Sequence, residues 1–254
     1  MAAGFAFHLD ANSYLVLGVP LVVLFQWQVQ RKPLCQLWVR DANAFRLDRY
    51  GMAIAIALML LPIATLVTMV AAGDVPGALW AVACVAGGAA AAFSLRNLRR
   101  TTLNRPALLG VLAAVSIGLL LFGGEAMIRG RSALMSPGEL GSFAVWLLLY
   151  FPVVFVVEEV VFRGAFDTFV NRAGAGRTQY WLSAAAVAIV WGLWHWPIAP
   201  ADAGGNAAAT LLQLVVVHTL IGVPLAISWR AGGNLALPAL AHAVIDAYRN
   251  ALQG

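Results

Sequence analysis

The sequence predicts an all-α, polytopic membrane bundle of about eight transmembrane helices. Three observations carry that prediction. The chain is 62% hydrophobic and only 11% charged, where a soluble domain carries about 25% charged residues. Mean hydropathy is +0.84, and apolar stretches recur at roughly 17–29 residues, near the length that crosses about 30 Å of hydrocarbon. The basic residues fall in short connections between those stretches. The formal net charge of +5 is therefore a topology signal, and it excludes a nucleic-acid partner. The expected surroundings are a lipid bilayer.

The spans follow in order. The first covers about 14–30, and the residues before it lack a signal peptide's basic n-region and carry Asp10 instead. The second and third cover about 50–72 and 76–95. The third is lined with Gly87, Gly88 and Ala89 to Ala92, a surface that lets helices approach closely. The fourth to seventh cover about 106–127, 142–170, 179–199 and 207–229. The eighth, about 234–251, is short and begins after the turn signal Gly232-Gly233-Asn234. No linker or repeat interrupts the pattern, so residues 1–254 read as a single membrane domain. Within it, 1–141 would be variable scaffold spans and 142–251 the polar-motif core. Cys35 and Cys84 lie in a basic loop and an apolar span, and form neither a disulfide framework nor a metal spacing.

The connections alternate in charge. The first carries Arg31, Lys32, Arg40, Arg46 and Arg49, and the third Arg96, Arg99, Arg100 and Arg105. The fifth carries Arg172 and Arg177, and the seventh Arg230. The intervening connections carry Asp74, Glu139 and Asp202, with Arg129 and Arg131 as exceptions. The positive-inside rule puts the odd connections in the cytoplasm and both termini outside. Lys32 is the sole lysine, and arginine and alanine abound, which points to a GC-rich bacterium and an inner-membrane location.

Four spans carry buried polarity. Glu158 and Glu159 sit side by side in Phe151-Pro-Val-Val-Phe-Val-Val-Glu-Glu-Val-Val-Phe-Arg163. A carboxylate at bilayer depth costs at least a few kcal/mol, so the pair is a functional-site hypothesis by default. Glu159 and Arg163 are four apart and can pair, while Glu158 is rotated about 100° away and can face a cavity. The sixth span adds Trp191 and His195, the seventh Gln213 and His218, the eighth His242 and Asp246. His242 and Asp246 share a face, so Asp246 can orient or charge-stabilise the imidazole, and Trp191 can stack one turn below His195. In the functional reading Glu158 is the general base on a water, helped by His195. His242 and Asp246 face a reacting carbonyl. Span boundaries set His242 nearer the cytoplasmic side than Glu158. His218 reads as a satisfied core or cavity histidine, Trp38 and Trp229 as boundary tryptophans, and Arg249 as a snorkelling cation.

Glu158-Glu159-x-x-x-Arg163, then Trp191-x-x-x-His195, then His242-x-x-x-Asp246, resembles the CPBP family of intramembrane proteases. That family includes the CAAX prenyl endopeptidases and bacterial relatives linked to bacteriocin immunity. The resemblance covers about 142–251 and implies an eight-helix endopeptidase. It implies Glu158 as catalytic glutamate, Glu159 and Arg163 as the rest of its motif, and His195 as partner in activating water. His242 and Asp246 match the pair assigned to the oxyanion. Two positions depart from the pattern: Trp191 stands where the family usually has Phe, a conservative change, and Asp246 where it often has Asn. An ionised Asp cannot donate to an oxyanion, so Asp246 is protonated, orients His242, or helps hold a cation.

The favoured expectation is a cofactor-free glutamate mechanism. Zinc is the other, with Glu158, His195, His242 and Asp246 as its donor set. The expected partner is a peptide or protein substrate in or at the membrane. Two further readings are a proton-coupled carrier, since buried Glu, His and Asp can relay protons, and a non-catalytic immunity or assembly partner.

Overall fold

Helix caps divide the chain much as its hydropathy does. The computed structural model describes residues 10–171, 176–199 and 206–253. Arg172 and Asp202, read above as loop charges, lie outside them. Helix α1 (Ala11–Val16) opens on Asp10, whose carboxylate accepts from the Ser13 amide. Helix α2 (Gly18–Leu24) runs on into a π-helical turn, Phe25–Gln30. Helices α3 (Arg49–Ala71), α4 (Val75–Arg96) and α5 (Arg105–Ile128) are capped by Asp48, Asp74 and Asn104. Helix α6 (Pro137–Val154) starts on a capping box between Ser136 and Glu139. Each cap gives an acceptor to amides that the helix itself leaves unbonded.

After Val154 the chain does not stop. It continues as a π-helix, Phe155–Asp167, and a last turn, Thr168–Val170. Helices α7 (Arg177–Trp194), α8 (Ala207–Gly232) and α9 (Ala236–Gln253) complete the bundle. Among the described residues there is no strand, only an isolated bridge between Val39 and Asn234. The protein is a polytopic helical membrane protein.

Among the described residues, seven helical stretches are long and apolar enough to cross a membrane, from Ser13–Gln30 to Ala207–Gly232. The fifth is the longest, Pro137–Val170, because the π-helix extends α6 without a break. Helix α9 is not among the seven. It carries His242, Asp246, Arg249 and Asn250 on one side, and it is packed against α5 and α6. Its surroundings are other helices, so its sequence need not be apolar all round.

The π-helix lies at the centre, with most of its side chains buried. Close approach requires glycine at two places around it. A Cβ on Gly87 of α4 would run into the Pro152 carbonyl of α6, and one on Gly164 into the Leu37 carbonyl. The small-residue surface expected on the third span therefore seats α4 against α6.

Two readings of single residues change, and a third gains a partner. Arg230 is not a loop charge: it is buried and pairs with Asp167 at 2.6 Å, while also donating to the Tyr180 carbonyl and the Ser183 hydroxyl. Its long side chain turns back into the bundle because Asp167, at the end of the π-helix, offers the opposite charge. Trp229 is fully buried, and its indole N–H donates to Thr168 at 3.1 Å. Arg249, read as a snorkelling cation, is tied to its own helix: its Nη2 lies 3.2 Å from Asp246 Oδ1.

Candidate active site

The π-helix, α7, α8 and α9 each bring polar side chains to one place. π-helical turns are rare and recur at functional sites. This one carries Glu158, Glu159 and Arg163, all buried. Glu159 Oε1 accepts from Arg163 Nη1 at 3.0 Å and lies 2.8 Å from His242 Nδ1. Only a protonated Nδ1 can bond a carboxylate, so Glu159 keeps a proton on Nδ1 of His242. The partner that orients His242 is therefore Glu159. Asp246, expected in that role, stands at the far nitrogen, with Oδ2 3.4 Å from Nε2.

Glu158 points elsewhere. Its Oε2 accepts from the Trp191 indole N–H at 2.7 Å, and lies 3.4 Å from His195 Nε2 and 4.0 Å from His242 Nε2. His195 Nδ1 lies 2.9 Å from the Trp191 carbonyl. A carbonyl only accepts, so Nδ1 carries the proton and a neutral His195 turns a bare Nε2 towards Glu158. Two acceptors then face each other, an arrangement completed by a proton or by a water that donates to both.

Trp191 is the hub. Its ring lies edge-on to His195, His218 and His242, with centroids at 6.0, 4.5 and 5.0 Å. The expected stacking on His195 is thus an edge contact. The Arg163 guanidinium sits 4.1 Å from the same ring centroid, a cation–π contact. Trp191 in place of Phe is not a conservative change, because only the indole can donate to Glu158. A buried Trp N–H needs a partner, and that requirement was the available signal.

All six motif residues, Glu158, Glu159, Arg163, His195, His242 and Asp246, lie in this cluster. His242 is not displaced towards the cytoplasmic side, because α9 packs alongside α6 and touches the π-helix. His218 joins them: its ring centroid is 4.6 Å from that of His195, and its Nδ1 lies 2.7 Å from the Leu214 carbonyl. Gln213 lines a neighbouring cavity with His218. Among the described residues no group of three or more His, Cys, Asp or Glu is arranged to hold a metal ion. Glu159 already bonds Arg163 and His242, and Trp191 occupies Glu158 Oε2.

No curated protein and no solved structure matches the chain. A family model does, over a stretch that holds every motif residue above: residues 140–248 match the family described as Type II CAAX prenyl endopeptidase Rce1-like, and it is there that the chain matches the CPBP/CAAX proteases, a family of membrane endopeptidases.

Proposed function

We propose that this protein is an intramembrane endopeptidase in which Glu158 activates the attacking water. The family match supports a membrane endopeptidase. The observation that carries the mechanism is the 3.4 Å gap between Glu158 Oε2 and a His195 Nε2 whose other nitrogen is committed to a carbonyl. A water lying to the side of that gap, within reach of both, gives one hydrogen to each acceptor and keeps a lone pair for a peptide carbonyl.

Glu158 takes the proton as the water oxygen bonds to the carbonyl carbon. The carbonyl oxygen becomes an oxyanion, and His242 Nε2 is the donor nearest to hand. Carboxylates of Glu159, Asp246 and Glu158 surround that ring at 2.8, 3.4 and 4.0 Å and stabilise a positive charge on it. On collapse the C–N bond breaks, and the leaving amine takes the proton held by Glu158. Asp246 acts through His242 and Arg249, with no donor role of its own.

The substrate is a membrane-associated segment or a C-terminal tail. The basic loops support a bacterial inner-membrane location with both termini outside, which reporter fusions at each end would check.

Glu158→Gln is expected to insert normally and to lose cleavage by at least about a hundredfold. Comparing peptide ends in membranes carrying wild-type or Glu158→Gln protein at matched levels tests this. Ends that persist in the mutant refute the assignment. Ends absent from both, beside solute uptake that depends on Glu158, would replace it with a carrier. A phenotype indifferent to Glu158, His195 and His242 would replace it with a non-catalytic partner. Stoichiometric zinc in purified protein, with activity lost on chelation, would replace the glutamate-only mechanism with zinc held by Glu158, His195, His242 and Asp246.

A further inference from the structure

A cavity of about 680 Å³ lies beside the site, within the range of small-molecule pockets. Two residues join the two spaces. His218 lines the cavity and stands against His195, their centroids 4.6 Å apart. Arg249 lines it and bonds Asp246. The wall is strongly basic: Arg129, Arg131 and Arg249 face a single acid, Glu125. Glu125 pairs with Arg129 at 2.6 Å. Arg131 donates at 2.6 Å to the Leu252 carbonyl, which is neutral, and its charge also acts on Glu139, which is not part of the cavity wall. Gln213 adds an amide.

Arg129 and Arg131 are also the two residues that break the charge alternation of the loops. Positive charge on that face works against the insertion signal. Their place on the cavity wall gives them a different use.

We propose that this cavity is a subsite for a carboxylate on the polar part of the substrate, beyond the scissile bond. The inference rests on the endopeptidase reading. Arginine forks match carboxylates in geometry and charge. The carboxylate comes either from a chain end or from an acidic side chain, and the two sources can be told apart.

The test measures binding, not turnover. Full-length Glu158→Gln protein in nanodiscs, with Cys35→Ala and Cys84→Ala, receives a reporter thiol by Gln213→Cys. Its alkylation by a water-soluble maleimide is followed against three hexapeptides of one polar sequence. One has a free C-terminus, one is the C-terminal amide, and one is the amide with a single internal Asp. The expected result is protection at about tenfold lower concentration by a carboxylate peptide than by the neutral amide. Arg129→Gln and Arg131→Gln are each expected to reduce that preference. The Arg129 side chain is 65% exposed, so its variant guards against a folding defect in the other.

Protection by the free C-terminus alone assigns a chain-end carboxylate, and protection by the Asp peptide assigns a side chain. Equal protection by the neutral amide overturns the proposal, as does a preference that survives both arginine variants. So does a thiol that the maleimide never reaches, or one shielded by phosphatidylglycerol but not phosphatidylcholine discs, which would make the occupant a lipid headgroup. Cleavage by wild-type protein is scored separately. A lost carboxylate preference with cleavage intact removes only the subsite. A carboxylate preference with no cleavage removes the endopeptidase reading.

Discussion

At Trp191 one indole N–H separates this chain from the phenylalanine pattern it resembles. Trp191→Phe keeps the ring under Arg163 and beside three imidazoles but takes the donor from Glu158. A hydrogen bond to a charged group contributes about 1.5–3 kcal/mol, so turnover is expected to fall by roughly 10- to 150-fold. Steady-state cleavage by purified Trp191→Phe checks this, and a wild-type rate would show that the bond does not position Glu158. The i,i+4 spacing made the Glu159–Arg163 pair legible in the sequence, since both residues share one helix. For His242 the same rule found Asp246, 3.4 Å from Nε2, and missed the partner at Nδ1. It offered Asp246 as the orienting partner, whereas Glu159, 83 residues away in sequence, holds Nδ1. Spacing reports neighbours along an element and is silent about what another element brings. His218 had no motif to announce it, and only packing against Trp191 and His195 gives it a place.

The π-helix is fixed at its C-terminal end by Asp167, whose carboxylate takes three hydrogen bonds from the Arg230 guanidinium. Both side chains are buried. Asp167→Asn leaves a buried cation without its partner, and about 3–5 kcal/mol of stability is expected to go with it. Asp167→Leu combined with Arg230→Met is expected to recover much of that loss. Thermal unfolding in detergent compares the variants; equal melting of wild type and Asp167→Asn would sink the argument. Sequence reading placed Arg230 in a loop because one-dimensional charge counting cannot see a side chain turned inward. At the far end of α4, Arg96 clasps Asp48, the α3 cap, at 2.6 Å in the open. Arg96 and the Gly51 amide hold the Asp48 carboxyl at about 2, below its ordinary 3.8. The folded state therefore binds this proton more weakly than the unfolded chain. Its contribution is complete above about pH 4 and fades as pH falls to about 2. Asp48→Asn is expected to flatten the dependence of melting temperature on pH in that window; an unchanged slope would assign it to other groups.

For the whole molecule, hydropathy alone announced a helical membrane bundle, because bilayer thickness fixes how long an apolar stretch must be. It was less informative about α9. A window of mean polarity does not distinguish a helix facing lipid from one enclosed by protein, and α9 is the enclosed kind. That enclosure bears on how the protein is made. Seven stretches can partition into lipid as they leave the ribosome, and an eighth with His242, Asp246 and Arg249 on it gains little by doing so. It must wait for α5 and α6 to offer a slot, so a newly made chain holds Glu158, Trp191 and His195 before His242 arrives. Pulse–chase labelling with protease protection is expected to show α9 becoming resistant later than the seven spans, and simultaneous protection would refute it. Hydrolytic power would then be withheld until biogenesis is finished, which spares neighbouring membrane proteins from a half-built enzyme.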